Sequence, residues 1–379
     1  MRTRNTYRVL GLMSGSSLDG LDLAAVEFKP HPVKGWEWQL LKAQTLDYSP
    51  EWQQRLQTAH TLDAIEILKL DSDYGHLLGM MARQWLLEHD MRVELVASHG
   101  HTLFHQPQRQ FTFQIGQGEA LVTHLTVPVI TRFRDRDIAL GGEGAPLVPQ
   151  GERDLFGEYN LLLNLGGIAN LSVFQLGDLP PGTTWLRKAP SQLGYDITGC
   201  NQLLNAASQR AGLPYDRDGQ LAKAGEIDPR LLGMLEDLDF LRLLPPRSLS
   251  NEYVRDRMLP LVAHVSPEEA CRTIVEHVAL QVRSQLQRLG RSNEELLVTG
   301  GGAFHPVLVE RLTQLLGELQ IQVVVPEPDV VSFKEAIIFA GLGLRRALGW
   351  PTSLADVTGA RKASSGGTLH LPDGWSLWH

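Results

Sequence analysis

The sequence predicts an α/β protein made of two domains with a cleft between them. The chain has 379 residues, which exceeds the length that one hydrophobic core usually supports, so two domains are expected. In both halves, apolar runs typical of strands alternate with segments of helical periodicity, as in α/β folds. Each half also opens on two strand-like runs joined by a glycine-containing tip, which predicts that the halves arose from an ancient duplication.

The first half opens with a predicted β-hairpin. Strand patterns cover residues 7–13 and 21–28, and residues 14–20 between them form a turn rich in glycine and serine. A third strand is expected over residues 36–47, and a long helix with apolar residues at helical spacing over residues 64–89. Two apolar strands are expected over residues 93–98 and 127–133, with a short helix between them over residues 119–125.

The second half repeats the opening of the first. Strand patterns over residues 159–165 and 168–175 flank the tip Gly166-Gly167. Because residues 141–149 break regular structure with glycine and proline, the predicted domains are residues 1–140 and 141–379, and the last helix is able to pack back on the first domain. Four helices are predicted in the rest of the second half, over residues 201–211, 229–237, 267–289 and 306–316. A further strand is predicted over residues 296–299.

Composition and charge exclude several classes of function. The formal net charge is −8, and no segment gathers the Lys and Arg residues that nucleic acid or an anionic membrane requires. The chain lacks a signal-peptide pattern and a membrane-spanning apolar run, and its two cysteines, Cys200 and Cys271, do not form a disulfide framework. We therefore expect a cytoplasmic protein with small-molecule partners.

Three glycine-rich turns follow predicted strands, at residues 11–20, 164–170 and 299–304. Backbone N–H groups at such tips are able to surround an anion, and α/β folds keep their ligands at the ends of strands. One turn of this kind is more often an ordinary connection, but three together favour a phosphate-bearing ligand. None of them matches the Walker sequence or the dinucleotide fingerprint.

The sequences of these segments resemble those of the anhydro-N-acetylmuramic acid kinases, members of the sugar kinase, actin and heat-shock chaperone superfamily. Residues 11–20, Gly-Leu-Met-Ser-Gly-Ser-Ser-Leu-Asp-Gly, are similar to the family's opening Gly-Leu-Met-Ser-Gly-Thr-Ser-x-Asp-Gly. Later family segments have counterparts in the same order at residues 98–102, 141–147, 164–170, 215–219, 299–303 and 357–360. The resemblance implies a two-domain actin-like ATPase fold, a duplicated ribonuclease H-like architecture with a central inter-domain cleft, and a homodimer.

The reaction that the resemblance implies is a step of peptidoglycan recycling. In it, 1,6-anhydro-N-acetylmuramic acid, ATP and water give N-acetylmuramic acid 6-phosphate and ADP. Because water is a poor nucleophile, the reaction needs a carboxylate base, and Mg²⁺ neutralises charge on the phosphoryl group. ATP and Mg²⁺ are the expected cofactors.

Two acidic residues are the expected catalytic residues. Asp196 lies in Gly-Tyr-Asp-Ile-Thr-Gly-Cys-Asn, which is similar to the family's Gly-Phe-Asp-x-Gly-Pro-Gly-Asn with its catalytic aspartate; without the family, it is better interpreted as a helix cap or turn residue. Glu335 matches a family glutamate at the substrate end of the site, and its alternative role is a first-turn helix acid.

The resemblance also assigns binding residues. The expected ATP and phosphate contacts are Gly11, Ser14, Gly15, Ser16, Ser17, Asp19, Gly20, Asn164, Gly166, Gly167, Gly300, Gly301 and Gly302. Asp19 is suited to holding a metal-bound water or a sugar hydroxyl, and although Asp-Gly is also a common turn pair, the family match favours the functional role. The expected sugar contacts are His99, His101, Arg134 and Asp137. The histidines at 99, 101 and 105 lack the acidic or cysteine partners of a metal site, so no direct protein ligand to a metal is predicted.

Three segments depart from the family pattern. Arg132 stands where many members have an acid, and residues 197–200 and 247–251 replace glycine-containing family runs. These changes leave open a kinase of another amino sugar, or a nucleotide-binding regulatory protein without catalysis. The retention of Asp196 and Glu335 argues against the regulatory role.

Overall fold

A computed structural model describes residues 6–15, 18, 20–31, 35–174, 192–245 and 247–375. The chain forms two compact units, one made of Met1–Gly157 with Phe333–His379 and the other of Glu158–Ser332. The chain therefore passes between units after residues 157 and 332, and not after residue 140 as the sequence predicted. The physical reason is packing, because two helices beyond residue 140 lie against the sheet and the neighbouring helix of the first unit.

The strands, in chain order, are β1 (Tyr7–Ser14), β2 (Gly20–His31), β3 (Gly35–Asp47), β4 (Leu95–Ser98), β5 (His101–Gln106), β6 (Phe111–Ile115), β7 (Val129–Thr131), β8 (Leu161–Leu165), β9 (Ile168–Phe174), β10 (Gln192–Gly199), β11 (Glu295–Thr299), β12 (Gln322–Val324) and β13 (Thr368–His370).

The α-helices are α1 (Pro50–Thr58), α2 (Ala64–Glu88), α3 (Gly118–Val122), α4 (Asp135–Ala139), α5 (Val148–Leu155), α6 (Asn201–Arg210), α7 (Gln220–Ala224), α8 (Pro229–Glu236), α9 (Asn251–Tyr253), α10 (Leu259–Val262), α11 (Pro267–Arg288), α12 (Pro306–Gly317), α13 (Pro328–Ser332), α14 (Lys334–Ala347) and α15 (Ala355–Thr358). None of the described helices is long and apolar enough to cross a membrane.

The first unit is built on a six-stranded sheet in the order β3-β2-β1-β4-β7-β13. The three opening strands form an antiparallel meander, and β4 and β7 follow in parallel to β1. Helix α14 packs on β1, β2 and β4, and α5 packs on α14. The core beside α2 contains large buried side chains, among them Tyr74, Leu78 and Trp85.

The second unit repeats this topology in its five-stranded sheet, ordered β10-β9-β8-β11-β12. Its first three strands are again an antiparallel meander, and β11 and β12 again run parallel to the first strand. The buried face of α11, with Ile274, Val278 and Val282, lies in its core. The same strand order and strand directions in both units confirm the predicted duplicated α/β fold.

Two features escaped the sequence patterns. The hairpin of β5 and β6 contains the histidines at 101 and 105, and β10 contains Asp196. Without the family, Asp196 is better interpreted as a helix cap or turn residue. It instead lies in the edge strand β10, beside a bulge between Asp196 and Thr198, because pairing with β9 outweighs the local preference of Asp and Gly for turns.

Candidate active site

The β1–β2 hairpin was expected to bind phosphate. Of its predicted contacts, Ser16, Ser17 and Asp19 lie outside the described residues. Gly11 lies within β1, where a Cβ atom would come 1.9 Å from the carbonyl oxygen of Ala336 in α14, and Gly20 similarly lies against Leu46 of β3. The structure thus gives these two glycines a packing role, which allows the close approach of backbone to backbone.

The other two hairpin residues stand at the end of β1. Ser14 is buried, and its hydroxyl lies 3.3 Å from Nδ1 of His101. Burial lowers the pKa of His101, which favours the neutral imidazole. Gly15 follows and is half-buried. The serine predicted for phosphate and the histidine predicted for sugar are therefore direct neighbours.

His99 and Arg134 form the best-defined pair of the first unit. Nε2 of His99 accepts hydrogen bonds from Nε and Nη2 of Arg134, at 3.1 and 2.9 Å, and Nδ1 lies 3.0 Å from the carbonyl oxygen of Gly100. Since Nε2 accepts, Nδ1 must carry the proton and donate it to Gly100. Burial, and then the charge of Arg134, lower the pKa of His99 to about 3. The imidazole is thus neutral and has one defined tautomer.

Asp137 supports this pair from a position that is itself fully buried. Its Oδ1 accepts a hydrogen bond from the hydroxyl of Thr358, and its Oδ2 accepts one from the amide of Gly144. The carbonyl of Gly144 in turn accepts a hydrogen bond from Arg134, at 3.2 Å. Both oxygens of Asp137 are occupied by the chain, so any influence on a sugar would pass through Arg134.

Glu335 stands at the start of α14, beside a buried ion pair. Nζ of Lys334 lies 2.8 Å from Oε1 of Glu152, and both side chains are buried. The Glu335 side chain itself remains in contact with solvent, but the protein around it removes part of its hydration and raises its pKa, against the positive charges of Lys334 and Arg134. Arg134 thus links the environment of Glu335 with that of His99.

In the second unit, the two later glycine turns lie next to each other at the ends of β8 and β11. Thr299 pairs with Asn164 across β11 and β8. A Cβ atom at Gly300 would come 2.7 Å from Oδ1 of Asn164, and one at Gly302 would come 2.6 Å from Cβ of Leu165. Gly300 also has a φ of +80°, which strongly favours glycine. The backbone at positions 300 and 302 therefore requires glycine.

Asn201 completes this junction, although the sequence did not single it out. Its side-chain Nδ2 donates a hydrogen bond to the carbonyl oxygen of Leu165 at 2.9 Å, and its backbone N–H donates one to the carbonyl oxygen of Gly166 at 3.1 Å. The carbonyl oxygen of Gly167 accepts a hydrogen bond from the backbone N–H of Cys200 at 2.9 Å. These bonds join the start of α6 to the β8–β9 tip. The signal that could have found Asn201 is its position as the last residue of the motif that contains Asp196.

One buried polar atom at this junction has no partner among the described residues, namely Oγ1 of Thr299. A buried hydroxyl without a hydrogen bond is costly, and such an atom is often satisfied by a ligand or water. The glycine cradle and this orphaned hydroxyl fit a polar ligand such as the phosphate and ribose of a nucleotide.

One carboxylate oxygen of Asp196 accepts hydrogen bonds, and the other has no described donor. Its Oδ2 accepts from the amide of Leu249 at 2.8 Å and from the hydroxyl of Ser248 at 3.3 Å, and no described donor contacts Oδ1. Desolvation raises the pKa of the Asp196 carboxyl, although these hydrogen bonds and the charge of Arg247 act in the opposite direction. The arrangement is suited to a general base, because an oriented carboxylate keeps one oxygen available for a proton.

Comparison with known proteins decides the family. A family model described as anhydro-N-acetylmuramic acid kinase matches residues 7–372. The chain belongs to the anhydro-N-acetylmuramic acid kinase family. It is therefore an enzyme of the kinase class, as the motifs predicted.

Relatives of the anhydro-N-acetylmuramic acid kinase family match nearly end to end. The protein of that name from Mannheimia succiniciproducens is 33% identical to this chain, over 95% of this chain and 98% of the relative. The one from Vibrio cholerae is also 33% identical, over 98% of this chain and 100% of the relative. One from Shewanella baltica is 34% identical over 96% of this chain and 98% of its own. Among solved structures, ligand-bound xylulose kinase from Lactobacillus acidophilus aligns with a TM-score of 0.42 and 11% identity, over 97% of this chain and 94% of that one.

The described part of this anhydro-N-acetylmuramic acid kinase family member contains no cluster of metal ligands. Across the described ranges, no group of three or more His, Cys, Asp or Glu residues could hold a metal ion. Mg²⁺ usually binds through one or two carboxylates together with substrate phosphates and water. The described residues thus fit a cation that enters with a nucleotide better than one held by a protein cage.

Proposed function

We propose that this chain hydrolytically opens 1,6-anhydro-N-acetylmuramic acid and phosphorylates its O6 with ATP, giving N-acetylmuramic acid 6-phosphate and ADP. The observation that carries the proposal is the Asp196 carboxylate, whose Oδ2 is held by Ser248 and Leu249 while Oδ1 has no described donor. Membership of the family supplies the substrate, and the carboxylate supplies the base that the reaction needs.

The proposed step balances with Asp196 as the proton acceptor. Water attacks the anomeric carbon as its proton passes to Oδ1, the bond from that carbon to O6 breaks, and O6 forms a bond to the γ-phosphorus of ATP with ADP as the leaving group. The proton taken up by Asp196 is then released to solvent. The raised pKa of Asp196 makes its carboxylate a stronger base than an ordinary aspartate.

Nucleotide and sugar are assigned to different groups of residues. We assign ATP to Asn164, Gly166, Gly167 and Gly300 to Gly302, supported by the orphaned hydroxyl of Thr299, and to the β1–β2 hairpin with Ser14. Sugar contacts are assigned to Glu335, Arg134, His99 and His101, with Asp137 as their support. Mg²⁺ bound to the nucleotide would neutralise charge on the γ-phosphate. We further propose a cytoplasmic homodimer that acts in peptidoglycan recycling.

The test measures ADP release with Mg-ATP and, in separate arms, 1,6-anhydro-N-acetylmuramic acid, N-acetylmuramic acid, N-acetylglucosamine or no sugar. Mass spectrometry should find a sugar phosphate that has gained one water only in the first arm. If that arm makes no ADP above the arm without sugar, the proposal is wrong. Turnover with another amino sugar instead would support the alternative kinase, and nucleotide binding without turnover would support the regulatory protein.

The Asp196→Asn variant tests the base. General bases typically contribute about 10² to 10⁴ in rate, so we expect a loss of that size in sugar-dependent ADP release with nucleotide binding retained. Asp237→Asn is the matched control, because the Asp237 side chain is exposed in a surface ion pair with Arg242. Wild-type turnover by Asp196→Asn would show that another group is the base.

A further inference from the structure

The guanidinium of Arg247 is buried against the backbone of β10. The residue is 7% exposed, and its side chain donates five hydrogen bonds to carbonyl oxygens. Nη1 contacts the carbonyls of Phe240, Leu241 and Leu243 at 3.1, 2.9 and 3.0 Å, Nε contacts Asp196 at 3.1 Å, and Nη2 contacts Ile197 at 3.2 Å. A buried cation is tolerated only when its donors are satisfied, and here backbone carbonyls perform that task.

The bulge in β10 explains why one side chain reaches two successive carbonyls. Along a regular strand, successive carbonyl groups point to opposite edges. The register with β9 shifts between Asp196 and Thr198, so the carbonyls of Asp196 and Ile197 both face Arg247. Among the described strands, β10 is the outermost of its sheet, and at this edge Arg247 supplies donors that a neighbouring strand would otherwise supply.

The backbone of Arg247 also forms a hydrogen bond with Asp196, this time as the acceptor. Its carbonyl oxygen accepts a hydrogen bond from the amide of Asp196 at 3.0 Å. The two residues that follow it donate to Oδ2 of Asp196, from the hydroxyl of Ser248 and the amide of Leu249. One short segment, residues 247–249, therefore holds both the backbone and one carboxylate oxygen of Asp196.

We propose that Arg247 is a positioning residue for the reaction, which fixes the β10 bulge so that Oδ1 of Asp196 faces the attacking water. The inference rests on the proposed function, because it names how the base of that reaction is oriented. Arg247 acts through Asp196 and through the segment 247–249. Methionine cannot replace it, since a thioether carries no N–H donor for these carbonyls, whereas the ammonium group of lysine keeps the charge and three donors.

The test compares Arg247→Met with wild type in sugar-dependent ADP release, beside Arg247→Lys, which keeps a charged donor. Misplacement of a reacting group by about 1 Å costs about 10²-fold, so kcat and kcat/KM should fall together by about that factor in Arg247→Met and by less in Arg247→Lys. Calorimetric nucleotide binding gives the fraction of competent molecules and separates lost rate from lost protein. Arg242→Lys is the matched control, because Arg242 lies five residues before Arg247 and its side chain is exposed, and it should retain wild-type rates.

The pH profile distinguishes positioning from a merely structural role. The charge of Arg247 lowers the pKa of Asp196, and Tyr195 and Arg288 face the guanidinium. Arg247→Met should therefore move the acid limb of kcat to higher pH, whereas Arg247→Lys keeps the charge and should leave the limb in place. Wild-type kcat in Arg247→Met, or a loss that only matches the lost nucleotide binding, would overturn the inference.

A milder variant covers the case in which buried substitutions prevent folding. Ser248 is exposed, so Ser248→Ala should fold normally, lose one donor to Oδ2, and show a lower kcat with an acid limb at higher pH. An unchanged profile would count against the orienting role of residues 247–249. A ¹³C titration of labelled aspartate carboxyls, assigned with Asp196→Asn, reads the Asp196 pKa without turnover. It decides whether Arg247 governs this carboxyl even if wild type proves inactive on the proposed sugar.

Discussion

Arg134 donates two hydrogen bonds to Nε2 of His99, at 3.1 and 2.9 Å. This pair joins the residue after β4 to the residue before α4 and, through the carbonyl of Gly144, to the buried carboxylate of Asp137. A planar guanidinium makes such a forked contact, and the imidazole that accepts it must be neutral. Three of the residues predicted to contact sugar are therefore parts of one rigid network.

The first prediction concerns Arg134→Lys. Lysine cannot reproduce the forked contact to His99, and hydrogen bonds from charged groups contribute about 1.5–3 kcal/mol each. If Arg134 contacts the sugar, KM for the sugar should rise by about 10-fold or more while KM for ATP stays unchanged. Steady-state kinetics with each substrate varied in turn measures both. Arg136→Lys, at an exposed position, is the control, and a change confined to KM for ATP would remove Arg134 from the sugar contacts.

The second prediction is an acid-dependent loss of stability from His99. Its pKa lies at about 3 in the folded protein, against an ordinary 6.5. Between these values the unfolded chain binds a proton that the folded protein does not, so stability falls as pH falls. The slope approaches about 1.4 kcal/mol per pH unit for one full proton. Urea unfolding over this range should show a shallower dependence for His99→Gln than for wild type.

A matched variant isolates this effect from the other titrating groups. His60→Gln changes an exposed histidine of the same unit and should keep the wild-type pH dependence. Equal slopes for His99→Gln and wild type would mean that His99 protonates in the folded protein, against the geometry of its two ring nitrogens.

The third prediction concerns Gly300→Ala. A side chain at this position would adopt a φ of +80° and place Cβ 2.7 Å from Oδ1 of Asn164. We expect a loss of roughly 1–3 kcal/mol of stability together with weaker ATP binding, measured by thermal unfolding and calorimetry. Gly233→Ala is the control in α8, because no described atom lies within 4 Å of a Cβ built there. That substitution should be neutral or stabilise the helix by up to about 1 kcal/mol.

The fourth prediction concerns the ion pair of Lys334 and Glu152, which are 8% and 5% exposed. Lys334→Met takes away the ion-pair partner of a buried carboxylate, so it should cost about 3–5 kcal/mol of stability. The double variant Lys334→Met, Glu152→Met should recover most of that loss. Chemical unfolding of both variants tests the pair, with the exposed Lys362→Met as the control. A double variant no more stable than the single one would contradict a direct interaction.

Much of the fold followed from local patterns. Alternating apolar residues placed the opening strands within two or three residues of β1 and β2, and helical spacing over 64–89 matched α2 (Ala64–Glu88). The sheets were predictable because a strand and a glycine turn leave short-range signals. The hairpin of β5 and β6 was missed, since its mixture of histidine and glutamine lacks a clear period.

The candidate catalytic residues could be proposed from the sequence only where a motif was specific. Motif similarity singled out Asp196 and Glu335, whereas nothing in the sequence indicated that Arg247 would be buried against β10. The hydrogen bond from Arg247 to the carbonyl of Asp196 joins residues 51 positions apart, and such contacts depend on the path of the whole chain. The same holds for Lys334 and Glu152, which meet across 182 positions.

The sequence by itself determined the duplicated α/β architecture, the positions of the glycine turns and the family. Hydrophobic periodicity, backbone freedom and sequence motifs are all properties of neighbouring residues. Only the tertiary structure decided which glycines serve packing, which oxygen of Asp196 is held and which remains open, and which tautomer His99 adopts. These properties arise from partners that folding brings together from distant parts of the chain, where burial and hydrogen bonding set the charge and direction of each group.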